Sequence, residues 1–556
     1  MAAPYARAAP SLQTFEIESS GRSGRCYRGL ILANGLRVLL ASDPSAEKAA
    51  AAMNVRVGTL SDPRSLPGLA HFCEHMLFLG TETFPDEDEF DRYISSNGGE
   101  SNAYTELEDT RYFFSVAAFA LPGALERFSG FFSMALFTES ATAGEVSAID
   151  SEHTNNLQDD DWRFYQLLKL RMMPSHPFSA FDTGNRQTLR GGDAIARAAL
   201  LQFYAEHYIA SEMSLAIVAP LPLRELQRLA IANFGRLPAR SAPRASAAYE
   251  SLPLPFTGGQ GTTLTLMRPI VEERTLSVVW CVPKVDSSLW DLAKPDVIWS
   301  QLLQSPRGLA SALRSAGLIL DLDASSAFGD FASGDAETGA FATLSAEFRL
   351  TEAGLRRWPE VTSALFSYLR LLRDGGVPGH VFSEARLMRE LSLRYAEPLQ
   401  PYDFAPVAAA AMPHFEPSRW VSGPVLLFDG AEAEVDRVLQ RTAEPRDAIL
   451  TLTADELPGS TPNVEPIYGT QYGSLRVQPE VWARSSSLVL TPPLPNRFLP
   501  SDLRIRPPPA AASAARHAAH PAPRLLQLAP STRLYHLQDT VFRLPYAYAF
   551  LQVRGA

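Results

Sequence analysis

Short apolar runs flank Asn34-Gly35 in GLILANGLRVLLAS (29–42). This reads as strand, Asn34-Gly35 turn, strand, because Asn-Gly between apolar runs is a strong hairpin signal. AAMNVRVGTL (51–60) alternates like a further strand. GLAHFCEHMLFLGT (68–81) is instead apolar at helical spacing, entered through Pro67-Gly68 and stopped at Gly80. An amphipathic helix follows in DEDEFDRYISSNGG, then two strands around an acidic turn in SNAYTELEDTRYFFSVAA. LPGALERFSGFFSMALF, TAGEVSAIDSEHTNNL and DAIARAALLQFYAEHY read as helices, and MSLAIVAP as a strand.

From about Leu252 the order restarts. Strands (TTLTLMRP, TLSVVWCVP) precede helices (LWDLAKPDVIWSQLLQ, GLASALRSAG), then a strand (GAFATLSAEFRL) and a long helical stretch (GLRRWPEVTSALFSYLRLLRD). The pattern predicts an α+β chain of two consecutive homologous α/β modules, each a mixed or antiparallel sheet with packed helices. The expected divisions are a disordered N-terminus (1–26), a first module (27–250), a second (251–500), a Pro/Ala-rich linker (501–530) and the start of a truncated third module (531–556).

The chain has only ten histidines, and two of them, His71 and His75, stand four apart in the first helix with Glu74 beside the second. Residues i and i+4 share a helix face, so both imidazoles point one way, as two ligands of one tetrahedral zinc would. Glu74 is placed to reach the open side of such an ion, the H-x-x-E-H arrangement. The bland alternative is a core helix with satisfied polar guests. A hydrolytic zinc needs a third protein ligand and a position for water. In EVSAIDSEHTNNL, Glu145 and Glu152 are seven apart and share a face, so either can ligate while the other supports. Two solvated carboxylates are the ordinary reading of the same spacing, and His153 reads as a surface histidine. Cys73 reads as a packed thiol.

Composition narrows the classes. A net charge of −11 over 556 residues, with no basic run, argues against nucleic acid as partner. Three cysteines allow no disulfide framework and fit a reducing compartment. No apolar run of about 18 residues is present, so no membrane span is expected. The expected location is cytoplasmic, with organellar targeting left open by an acid-poor N-terminus.

The stretch GLAHFCEHMLFLGTETFPDEDEFDRYISSNGGESNAYTELEDTRYFF resembles the catalytic segment of the inverzincin peptidases, specifically the insulysin/pitrilysin branch. YRGLILANGLRVLLASDP before it, EVSAIDSEHTNNLQDDDWRFYQL after it and YGTQY (468–472) resemble the same family in the same order. The resemblance implies a zinc metalloendopeptidase with one Zn2+ held by His71, His75 and Glu152. It implies Glu74 as general base, Glu145 as outer support, and Asn102 and Ala103 on a strand that pairs with the backbone of peptide substrates. Trp162 and Tyr165 fall near the cleft in such relatives, or are ordinary core.

The branch has four such modules in two halves that close like a clam shell. The resemblance therefore implies that this is the N-terminal half, needing a C-terminal half or a second copy to enclose substrate. Its exosite residues do not carry over, because LILDLDASSAFGDFASGDAETGAF is longer and more acidic than the matching strand of relatives. Two alternatives stand beside this reading: the catalytic subunit of a two-chain processing peptidase, and a non-catalytic scaffold derived from the family.

Overall fold

The computed structural model describes residues 12–18, 24–239, 249–256, 263–325, 338–395, 397–478, 481, 487–500, 502–504, 523–529 and 532–537. The Asn34-Gly35 turn joins β2 (Cys26–Ile31) to β3 (Arg37–Ser42), in a loop closed by the Leu32 amide on the Leu36 carbonyl, where Gly35 takes φ 93° and Asn34 takes no positive φ. These strands, with β1 (Gln13–Phe15), β4 (Lys48–Val55), β5 (Glu100–Thr105), β6 (Thr110–Ala117) and β7 (Met213–Ala219), form a seven-stranded sheet in the order β1-β2-β3-β7-β4-β6-β5. Only the β3/β7 pair is parallel. Helices α1 (Leu69–Met76), α2 (Glu89–Ser96), α3 (Leu121–Phe131), α4 (Glu139–Asn156), α5 (Asp160–Lys169), α6 (Ala194–His207) and α7 (Leu223–Phe234) follow in the same unit.

A second seven-stranded sheet contains β8 (Thr263–Met267), β9 (Arg274–Pro283), β10 (Ile319–Asp323), β11 (Phe341–Leu350), β12 (Ala448–Ala454), β13 (Asn463–Val464) and β14 (Gln471–Arg476). Its order is β10-β11-β9-β12-β8-β14-β13, again with one parallel pair, β12/β8. The two orders superpose with β8 matching β3, β12 matching β7 and β11 matching β6. The repeated element order in the sequence thus corresponds to a repeated topology. Two strands break the symmetry: β13 and β14 take the places of β1 and β2 but follow β12 in the chain.

Side-chain alternation in β4 explains how the units join. Ala49, Ala51, Met53 and Val55 face the helices of their own unit. Ala50 and Ala52 face the other way, onto Ala405, Ala408, Ala409 and Met412 of the helix Pro401–Ala411 and its end. Alanine on both surfaces lets that helix of the second unit lie close on the first sheet. The second sheet is covered reciprocally, with Val279, Cys281, Phe341 and Ile449 meeting Tyr165, Leu168, Met172 and Phe178 of the first unit. Tyr165 is therefore core, with Trp162 partly buried beside it.

Three expectations change. Within the N-terminal stretch expected to be disordered, Gln13–Phe15 pairs with β2, and Phe15 meets Trp420 edge to face at 6.4 Å. Gly29 permits this, because a Cβ there would stand 2.9 Å from Ile17 and 3.0 Å from Trp420. The helical run around residue 294 is broken in two, Ser287–Ala293 and Pro295–Leu303, by Lys294 at φ 45° before a proline. Arg524–Ala529, expected in the linker, pairs with Thr532–His536 across the expected module boundary. Residues 1–11 and 19–23, most of the expected linker (505–522), 538–556 of the expected third module, and 326–337 of the acidic stretch lie outside the described residues. Among the described residues no helix is long and apolar enough to cross a membrane.

Candidate metal centre

Helix α1 starts at Gly68 with φ 90°, a left-handed conformation that favours glycine. The position is also crowded: a Cβ on Gly68 would stand 2.3 Å from the Gly184 Cα. The helix borrows its cap from a preceding loop, where Asp62 accepts the Gly68 amide at 2.7 Å and the Ala70 amide at 2.8 Å. Leu69, Phe72, Cys73 and Met76 are fully buried, which fixes the helix's rotation and turns His71 and His75 toward a partly open face. Burial pushes the Cys73 thiol up to about 12, so it packs as an inert group.

The two imidazoles meet at their Nε2 atoms, 3.2 Å apart. Helix α4, capped by Thr138, packs on α1 and brings Glu152 Oε2 to 3.5 Å from each Nε2. These three atoms make a nearly equilateral triangle. Three ligands of a tetrahedral ion, each at about 2.0–2.1 Å, stand about 3.3–3.4 Å from one another. The donor set therefore fits a zinc ion in size and in chemistry, with two imidazoles and one carboxylate. The Glu152 side chain remains 42% exposed, so the site opens to solvent on that side.

Each histidine is held by its other nitrogen. His75 Nδ1 lies 2.7 Å from Glu145 Oε1, and His71 Nδ1 lies 2.7 Å from the Thr183 carbonyl oxygen. Both acceptors call for Nδ1–H, so each ring presents Nε2 to a metal, and any proton that a binding metal displaces leaves from Nε2. Burial alone would lower the His75 pKa, but the Glu145 and Glu152 carboxylates raise it to about 10 in the metal-free chain. Glu152 is pulled the other way: burial raises its pKa, and the His75 and His71 rings bring it below the usual value.

Glu74 is buried beside the histidines, with donor atoms of the three residues all within 4.8 Å of one another. Burial lifts its carboxyl above the usual range, opposed by the two histidines and by the Thr105 hydroxyl, which donates to Glu74 Oε2 at 2.6 Å. Thr105 ends β5, an edge strand whose other side faces no strand among the described residues. Asn102, exposed, and Ala103, half-buried, lie on this strand. His153, expected at the surface, is buried against Phe181 and Tyr468.

Sequence reasoning missed Thr183, Thr105 and Asp62. Thr183 acts through its main chain, which no residue type announces. Its loop is pinned by Lys169, whose Nζ reaches Asp182 at 2.5 Å and the Ala180 carbonyl at 2.9 Å. Tyr165 also donates to Asp182, at 2.9 Å.

Three family models match in succession: "Insulinase (Peptidase family M16)" over residues 37–175, "Peptidase M16 inactive domain" over 194–388, and "Middle or third domain of peptidase_M16" over 393–555. The chain belongs to peptidase family M16, of the insulysin/pitrilysin type. Among its M16 relatives, the insulin-degrading enzyme of Drosophila melanogaster is 34% identical over 97% of this chain and 53% of its own length. That of Homo sapiens is 32% identical over 96% and 51%. The crystal structure of pitrilysin superposes with a TM-score of 0.82 at 25% identity, covering 94% of this chain and 54% of pitrilysin. The first half of the periplasmic protease PqqL from Escherichia coli, 18% identical with a TM-score of 0.60, shares the fold over 80% of this chain and 94% of that half. The chain spans about half the length of the curated relatives it matches.

Proposed function

We propose that this chain carries the catalytic centre of a zinc metalloendopeptidase acting on peptides and small unfolded polypeptides. His71 and His75 through Nε2, with Glu152 through Oε2, would hold one zinc per chain. The triangle of 3.2, 3.5 and 3.5 Å carries the reading. When bound, the ion supplies a Lewis acid that activates water and polarises the scissile carbonyl.

The chain's own residues supply the rest. Glu145 and the Thr183 carbonyl hold the two rings in the tautomer that frees Nε2. Glu74 takes the proton from the attacking water and returns it to the leaving amine. Thr105 holds the Glu74 carboxylate while leaving its second oxygen free for that traffic. The β5 edge at Asn102 and Ala103 offers main-chain groups to an extended peptide, which gives affinity with little sequence preference. The relatives hold about as much chain again as the matched part, and such a half would enclose the substrate, whether in the same chain or on a partner. Three free cysteines suit a reducing, cytoplasmic setting.

The test is zinc content together with hydrolysis of a quenched peptide, with and without a chelator. Stoichiometric zinc and chelator-sensitive cleavage support the reading. A folded chain with neither refutes it.

A further inference from the structure

YGTQY, singled out in the sequence, has no part in the chemistry above, yet its first residue sits beside the metal centre. Tyr468 is 3% exposed and belongs to the turn between β13 and β14, in the second unit. That turn is rigid for identifiable reasons. The fully buried Glu465 carboxylate accepts the Ile467 amide at 3.0 Å and the Tyr468 amide at 2.6 Å. The Gly469 amide donates to the Glu465 carbonyl at 2.9 Å, with Gly469 at φ 69°.

The Tyr468 ring meets two rings of the first unit edge to face. His153 is 5.1 Å away and Phe181 is 6.1 Å away, and these two are 5.1 Å from each other. Each partner is adjacent to a different support of the metal site. His153 follows Glu152 directly on α4. Phe181 stands two residues before Thr183, whose carbonyl holds His71. One side chain from the second unit thus braces both the third ligand's helix and the loop that orients the first ligand.

We propose that Tyr468 is a positioning residue for the metal centre, setting α4 and the 181–183 loop so that the Glu152 carboxylate and the Thr183 carbonyl reach α1 together. The proposal rests on the zinc-peptidase reading. It makes the second unit part of the catalytic apparatus, although that unit contributes no ligand.

The experiment compares the full chain with Tyr468→Phe, Tyr468→Ala and Tyr468→Leu. Zinc affinity is read by competition with a chromophoric chelator below the melting temperature of each variant, and kcat and KM are read on a quenched peptide. Tyr468→Phe keeps the ring and is expected within about twofold of wild type. Tyr468→Ala is expected to weaken zinc at least about tenfold, the scale of a lost outer support, and to lower kcat while KM stays. Should that variant fail to fold, Tyr468→Leu keeps apolar volume without the ring edge and carries the same expectation. A cooperatively folded Ala or Leu variant with wild-type zinc affinity overturns the proposal and leaves the peptidase reading standing. A wild-type chain that binds no zinc overturns both.

Discussion

His75 Nδ1 stands 2.7 Å from Glu145 Oε1, a contact between residues 70 apart in sequence. It links the helix of the two histidines to the helix of the third candidate ligand, and it turns His75 Nε2 toward Glu152. Glu145→Ala should therefore weaken zinc by about 10–100-fold without removing any ligand. Chelator competition on the purified chain measures this. An unchanged zinc affinity would show that the contact does not orient the ring.

Glu74→Gln should bind zinc like wild type and lose about 10²–10⁴ in turnover, because an amide keeps the Thr105 contact but cannot accept a proton. Elemental analysis and peptide hydrolysis on the same sample separate the two effects. Cleavage at the wild-type rate would remove Glu74 from its role.

Gly68→Ala should destabilise the chain by at least about 2 kcal/mol. The new Cβ would stand 2.3 Å from the Gly184 Cα, in backbone that has no side chain to move aside, and φ is 90°. The same strain displaces the Thr183 loop, so zinc affinity should fall alongside. Denaturant unfolding with the midpoint compared to wild type is the check.

Glu108 predicts a pH dependence away from the metal. It is buried at the join of the two units, accepts the Gly339 amide at 2.9 Å, and burial together with nearby Asp109 raises it to about 7 from an ordinary 4.5. The native state then keeps a proton between those values that the unfolded chain releases, so this group costs stability as pH rises from about 4.5 to 7. Glu108→Gln retains an oxygen for Gly339 and removes the charge. Its stability relative to wild type should rise across that window, by about 3 kcal/mol at most. Urea unfolding at both ends of the window tests the sign, and a difference that does not change with pH would contradict it.

What the sequence made legible follows the physics of local signals. Asn34-Gly35 marked a hairpin because Gly35 readily takes the positive φ, 93°, that its loop uses. His71 and His75 announced themselves because i and i+4 must share a helix face. Glu145 and Glu152 were legible as a pair but not as roles, since spacing alone cannot say which carboxylate meets the rings. Thr183 was illegible because its contribution is a carbonyl 112 residues from His71. The helix Pro401–Ala411 was equally hidden. It contains Pro406, and its alanines carry meaning only once Ala50 and Ala52 of β4 are seen opposite. The second strand order hid for another reason: β13 and β14 enter from the far end of their unit, where linear order misleads.

The most direct measurement is anomalous diffraction at the zinc edge from crystals of the full chain grown with zinc. The account predicts a single strong peak in α1's open face, about 2.0–2.1 Å from His71 Nε2, His75 Nε2 and one Glu152 oxygen. A strong peak elsewhere with that triangle empty, or Glu152 turned away from both imidazoles, would contradict it.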